Sequence, residues 1–236
     1  MFYFPIPTTR RRGPLTRICP EASDEGIAFA YIDGDILLDL AATTGNAKEI
    51  AWWGNPGMAL PTGAPRRRQC PQHGLSGRVA VADLDADGRT DIVVSEENGQ
   101  ADHARAYWWR NPGDLRPNWE QQEITSRGSL NSLSVADMND DGRPDLVMGE
   151  HRGALRLSLW RNLGGGRFIE QLVGEGLESH LGARTVDLDG DGDREIVSIG
   201  WDAPHAIHVL RNDATVPSDR EAGQVPPRGD IVPQSE

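Results

Sequence analysis

The strongest constraint on this chain is an acidic nonapeptide that recurs. "DLDADGRTD" begins at Asp83, "DMNDDGRPD" at Asp137 and "DLDGDGDRE" at Asp187, 54 and then 50 residues apart. A unit of that length cannot bury its apolar face alone, so the chain must be read first as a stack of repeats. Acids at alternating positions also repel one another. They call for a counter-charge.

Aligning on the acidic turns gives four copies. The second is "RVAVADLDADGRTDIVVSEENGQADHARAYWWRNPGD" and the third "SLSVADMNDDGRPDLVMGEHRGALRLSLWRNLGGG". The fourth is "ARTVDLDGDGDREIVSIGWDAPHAIHVLRND". Upstream, "GIAFAYIDGDILLDLAATTGNAKEIAWWGNPG" keeps Asp33, Asp35 and Asp39 in frame, with Tyr31 in place of the first acid and Ile36 in place of the turn glycine. Each copy holds an alternating or β-branched run, the acidic turn, a second run such as "DIVVSE", a looser loop and a third run ending in "WWRNPG" or its relative. "WEQQEIT" (119–125) and "RFIEQLV" (167–173) add a fourth run, with "RRRQCPQ" as a weaker counterpart in the first copy. Four short strands per unit without helical periodicity predict an all-β chain, a β-propeller of four-stranded antiparallel blades with four blades visible.

The last copy stops at Asn212, before a fourth strand. "PLTRICP" stands in phase to supply one, because Ile18 precedes Tyr31 by the same 13 residues that separate Cys70 from Asp83 and Ile124 from Asp137. Two arrangements stay open: a small closed ring, and part of a larger propeller. The repeats take residues 15–212, residues 1–14 read as a flexible lead, and the Pro-rich polar stretch 213–236 reads as a disordered tail. An "RGD" at Arg228–Asp230 lies in that tail and carries no weight.

In the nonapeptide, side chains at positions 1, 3, 5 and 9 aim at one centre, and the glycine after position 5 permits the sharp turn. Hard cations such as Ca2+ take six to eight oxygens at about 2.3–2.6 Å, from carboxylates, carbonyls and water. The three turns hold 13 of the chain's 36 acids, so about three bound divalent ions would remove half of its net charge of −12. The acidic balance excludes nucleic acid as a natural partner. No apolar run approaches the roughly 20 residues of a bilayer span. "MFYFPIPTTRRRG" places its basic cluster after its apolar residues, so it does not read as a secretory signal. Cys19 and Cys70 read as free, buried thiols.

The pattern D-x-[DN]-x-D-G-x-x-[DE] followed by "DIVV" or "DLVM", with "WRNPG" turns, resembles the FG-GAP or VCBS repeat, best known from integrin α-subunit propellers. The resemblance implies calcium between the first and second strands of each blade, and an extracellular, periplasmic or cell-surface location. By position, the ligands it implies are Asp83, Asp85, Asp87 and Asp91 in the second copy and Asp137, Asn139, Asp141 and Asp145 in the third. In the fourth they are Asp187, Asp189, Asp191 and Glu195. Asn139 and Glu195 keep the oxygen count, whereas the degenerate first turn, with Asp33, Asp35 and Asp39, is expected to be weak or empty.

Trp52, Trp53, Trp108, Trp109 and Trp160 recur before the Asn-containing turn and read as core, since a blade is packed on both faces. Asn55, Asn111, Asn162 and Asn212 read as turn residues. His73, His103, His151, His180 and His205 fall in loops at the end away from the acidic turns, together with Asp102, Glu150, Arg152 and Trp201. That face is expected to hold a glycan or protein ligand, with the ions stiffening the blades. The alternative is a lyase-like carbohydrate-active enzyme, with His151 beside Arg152, or His180 near Arg184, as base and cation. No zinc spacing, nucleophile elbow or catalytic triad accompanies it.

Overall fold

The alternating runs form strands because β-branched and aromatic residues at every second position can be buried on one side of a pleated sheet. The computed structural model describes residues 2–3, 16–17, 22–44, 49–55, 66–69, 75–97, 104–114, 119–176, 182–200 and 206–212. β1 (Phe2–Tyr3) pairs with β2 (Thr16–Arg17). Four antiparallel meanders follow. The first is β3 (Ala22–Ala30), β4 (Asp39–Thr44), β5 (Glu49–Trp53) and β6 (Arg66–Gln69). The second is β7 (Leu75–Ala82), β8 (Asp91–Glu97), β9 (Arg105–Arg110) and β10 (Glu120–Ser126). The third is β11 (Ser129–Ala136), β12 (Asp145–Arg152), β13 (Leu157–Asn162) and β14 (Phe168–Gly174). The fourth has three strands, β15 (Arg184–Val186), β16 (Glu195–Ile199) and β17 (Ile207–Leu210). The strand in phase to complete it, β2, is paired with β1 instead.

These sheets are propeller blades. Their first strands lie side by side in chain order, β3 against β7, β7 against β11 and β11 against β15. Among the described residues β3 and β15 show no comparable packing, so the sheets do not close on one another. The register at the acidic turn is the same in every blade. Ala30 pairs with Asp39, Ala82 with Asp91, Ala136 with Asp145 and Val186 with Glu195.

The core lies between blades. Trp52, Ile50 and Ala41 of the first blade pack on Ile92, Val94, Tyr107 and Trp109 of the second. Val93, Ala106 and Trp108 face the other way, onto Leu130, Leu146, Met148 and Trp160. Val147, Leu157 and Leu159 then meet Ala183 and Ile196 of the fourth. Trp108 and Trp109 thus enter opposite clusters, as the pleat requires, and all five recurring tryptophans are buried.

One glycine shows how tight these interfaces are. Gly166 has a φ of +69°, and a Cβ there would stand 2.1 Å from Cζ2 of the fully buried Trp108. Gly165, at +62°, has open space around it. Gly165→Ala is expected to cost about 1 kcal/mol in urea unfolding through left-handed strain alone, and Gly166→Ala about 2 kcal/mol because the indole must also move. Equal costs would show that Trp108 does not fill that space.

Candidate metal centre

The acidic turns are shaped by their own side chains. Asp83 accepts from the Asp87 N–H at 3.0 Å through Oδ1 and from the Gly88 N–H at 2.8 Å through Oδ2. Asp87 accepts from the Arg89 N–H at 3.0 Å. Asp137 does the same to Asp141 and Gly142, at 3.2 and 2.7 Å. Each bond replaces a backbone partner that a strand would otherwise supply, so the chain curls round its carboxylates. Gly88 and Gly142, at φ 83° and 80°, take the left-handed step that this curl needs.

The closing acid has a different task. Asp91 is buried and uses both oxygens on backbone: Oδ2 accepts from Leu84 N–H at 2.9 Å and Oδ1 from Asn111 N–H at 2.8 Å. Asp145 takes Met138 at 3.1 Å and Asn162 at 2.7 Å; Asp39 takes Ile32 and Asn55, both at 2.8 Å. In the fourth blade Glu195 accepts from Leu188 at 2.7 Å. In the first three blades this acid therefore ties its turn to the end of the third strand. Burial pushes the Asp91 carboxyl up to about 7, against the lowering effect of its two N–H donors, with Asp85 and Asp87 adding like charge. Burial also raises Asp39 and Asp145.

Oxygens of Asp83, Asp85 and Asp91 lie within 4.8 Å of one another, as do those of Asp33, Asp35 and Asp39, and of Asp187, Asp189 and Glu195. Two oxygens on one calcium ion at about 2.3–2.6 Å stand at most about 5 Å apart, so the spacing within each trio is compatible with a single ion. The third turn places Asp137, Asn139 and Asp145 at the same repeat positions, with an amide oxygen for one carboxylate.

Two features were not legible in the sequence. The position-5 acids Asp87 and Asp141 fall outside these trios and are ion-paired to Arg89 and Arg143. Arg110 adds a bridge to Asp85 at 2.5 Å and to Asp87 at 3.1 Å, and Arg211 reaches Asp189 at 3.1 Å. The second is Asp193, which is buried and forms a second group with Asp191 and Glu195, the latter shared with the trio of Asp187 and Asp189. Its signal was the fifth acid of "DLDGDGDRE". The first turn, expected to be degenerate, still gathers its three acids, and Gly34 at φ 81° supplies a left-handed step while Ile36 is 91% exposed.

At the opposite end, His151 sits near the end of β12, half-buried, with Nδ1 3.4 Å from Glu97 Oε1 of the preceding blade. Its neighbour Glu150 is buried and accepts from the Arg156 N–H at 3.2 Å, a bond that holds the β12–β13 turn. Arg152 is exposed. Arg184 donates to the Ala183 carbonyl at 2.9 Å; burial lowers its guanidinium, and the charge of Arg78 lowers it further. His73, Asp102, His103, His180, Trp201, His205, Cys19 and Cys70 lie outside the described residues.

A model of the FG-GAP-like repeat matches residues 31–94, 83–148 and 137–198. The chain belongs to the FG-GAP-like repeat family. Each match starts at the first position of an acidic turn and runs into the second strand of the next blade, so the family unit straddles the interblade core. Integrin alpha pat-2 of Caenorhabditis briggsae and of Caenorhabditis elegans are each 32% identical to this FG-GAP chain over 80 residues. Those residues are 33% of the chain and 6% of either relative's length. Among the described residues no helix is long and apolar enough to cross a membrane.

Proposed function

We propose that this chain is a cell-surface or extracellular interaction module that binds a protein partner on its loop face and takes calcium in its acidic turns. The observation that carries the reading is the convergence of three carboxylates, one of them buried, in the same turn of the first, second and fourth blades. When bound, the ion supplies the positive charge that offsets their repulsion. Asp83, Asp85 and Asp91 would hold it in the second blade, Asp137, Asn139 and Asp145 in the third, and Asp187, Asp189 and Glu195 in the fourth. The donor set is rich in protein oxygens, which suits calcium better than magnesium, an ion that retains its waters. The integrin α relatives support a protein partner, and loops at one mouth of a rigid scaffold are where such ligands bind.

Isothermal titration with calcium tests the reading. About three binding events are expected, in the range of extracellular modules, roughly 0.1–1 mM. Asp187→Ala should remove one. No heat at 10 mM calcium, or equal response to magnesium, would overturn the assignment. Arg110 is paired with Asp85, one of those three carboxylates, so Arg110→Gln is expected to tighten binding at the second turn, most at low salt. Unchanged affinity would mean that the guanidinium swings clear at no cost.

A further inference from the structure

The turns are wired to one another through the asparagines. Asn111 of the second blade donates its amide to the Ile32 carbonyl of the first at 2.8 Å; Asn162 of the third donates to Leu84 of the second at 2.9 Å; Asn212 of the fourth donates to Met138 of the third at 2.8 Å. The accepting residue is always position 2 of the preceding acidic turn. The same residue's N–H is held by the closing acid: Ile32 by Asp39, Leu84 by Asp91, Met138 by Asp145. In the first three blades the closing acid in turn takes the N–H of its own blade's asparagine: Asp39 from Asn55, Asp91 from Asn111 and Asp145 from Asn162. The bonds therefore run without a break from Asp39 through Ile32, Asn111, Asp91, Leu84, Asn162, Asp145 and Met138 to Asn212. Ile32, Leu84, Met138, Asn111 and Asn162 are all buried, so water does not substitute for the bonds that join them.

We infer that Asn111 and Asn162 are positioning residues that couple neighbouring ion turns, so that a cation held in one turn raises the affinity of the next. The inference rests on the calcium reading given above. Its physical content is that Asp91 and Asp145 belong at once to an ion's oxygen set and to the bonded chain. An ion that fixes Asp145 fixes the Asn162 backbone, hence the Leu84 peptide, hence the frame in which Asp91 meets its own ion. By linkage the effect is reciprocal.

The test uses calcium alone and reads the turns separately, through the amide resonances of Gly88 and Gly142, whose N–H groups are bonded to Asp83 and Asp137. Asp137→Asn weakens the third turn without touching the bonded chain. In the otherwise unchanged protein it should raise the calcium midpoint at Gly88 about fivefold, the lower end of usual site coupling. In an Asn162→Ala background the same change should leave the Gly88 midpoint where it is. Asn162→Ser, which also removes the amide donor to Leu84, is the parallel case if Asn162→Ala does not fold. A mere loss of stability would not make the effect of Asp137 depend on Asn162. Calcium responses with independent midpoints in the unchanged protein overturn the coupling alone. No response at either glycine overturns the calcium reading and the coupling with it.

Discussion

Asp91→Ala is expected to cost about 3 kcal/mol of stability in urea unfolding with chelator present. The carboxylate is fully buried and is the partner of two buried N–H groups, on Leu84 and Asn111. A donor left unsatisfied inside a protein costs about 1–3 kcal/mol, so two of them cost about 2–6 kcal/mol. Removing a carboxyl that burial disfavours returns part of that, which places the expectation in the lower half. Asp83→Ala is the control. Its partners, the N–H groups of Asp87 and Gly88, lie at the surface of the turn and can turn to water, so about 1 kcal/mol is expected. If both variants unfold at the same urea concentration, the closing acid is an ion ligand and nothing more, and the bonded chain between blades has no energetic weight.

This contrast marks where the sequence stopped being readable. Period, strand number and turn position were legible because each is local: "DLDADGRTD" carries its own turn chemistry, and "DIVV" its own pleat. The Trp108–Trp109 pair was legible as core, since adjacent strand residues face opposite sides and both sides of a blade are covered. The asparagines were legible only in part. Asn111 and Asn162 do cap turns, accepting from Gly113 and Gly164 at 2.9 Å, as an Asn-Pro-Gly or Asn-Leu-Gly stretch suggests. Their second bond crosses to a carbonyl 79 or 78 residues away, and no local pattern specifies that partner. It becomes visible only once the blades are stacked in register.

The same limit applied to the ion turns. Counting acids at positions 1, 3, 5 and 9 treats every carboxylate as pointing inward. The arginine of the "WRN" turn lies about 20 residues downstream, and folding of the third strand brings Arg110 onto Asp85 and Asp87. Conversely Asp193 entered the sequence reading only in the count of acids, and its burial singles it out. At the far end the sequence grouped five histidines by topology. Of these only His151 is among the described residues, and it is turned onto Glu97 of the neighbouring blade.

Calcium is expected to raise the melting temperature by about 20 °C over the chelated protein. The estimate follows from mass action on a ligand that binds the native state alone. At 10 mM calcium and a dissociation constant of about 0.1 mM, one site contributes about 2.7 kcal/mol, and three contribute about 8 kcal/mol. For a chain of this size 1 kcal/mol moves the midpoint by about 2–4 °C. The dependence on concentration is more telling than the size. Each tenfold rise in calcium above the dissociation constant should add about 1.4 kcal/mol per site, so the melting temperature should keep climbing with the logarithm of calcium. Screening of surface acids by a divalent salt would instead level off and would be matched by magnesium. The calcium reading expects the trios, each a buried acid and two others within 4.8 Å, to discriminate by oxygen count and cavity size, which screening would not do. A calcium rise that magnesium reproduces at equal ionic strength would leave these turns as acidic hairpins held by their own backbone, and the blades as a scaffold without ions.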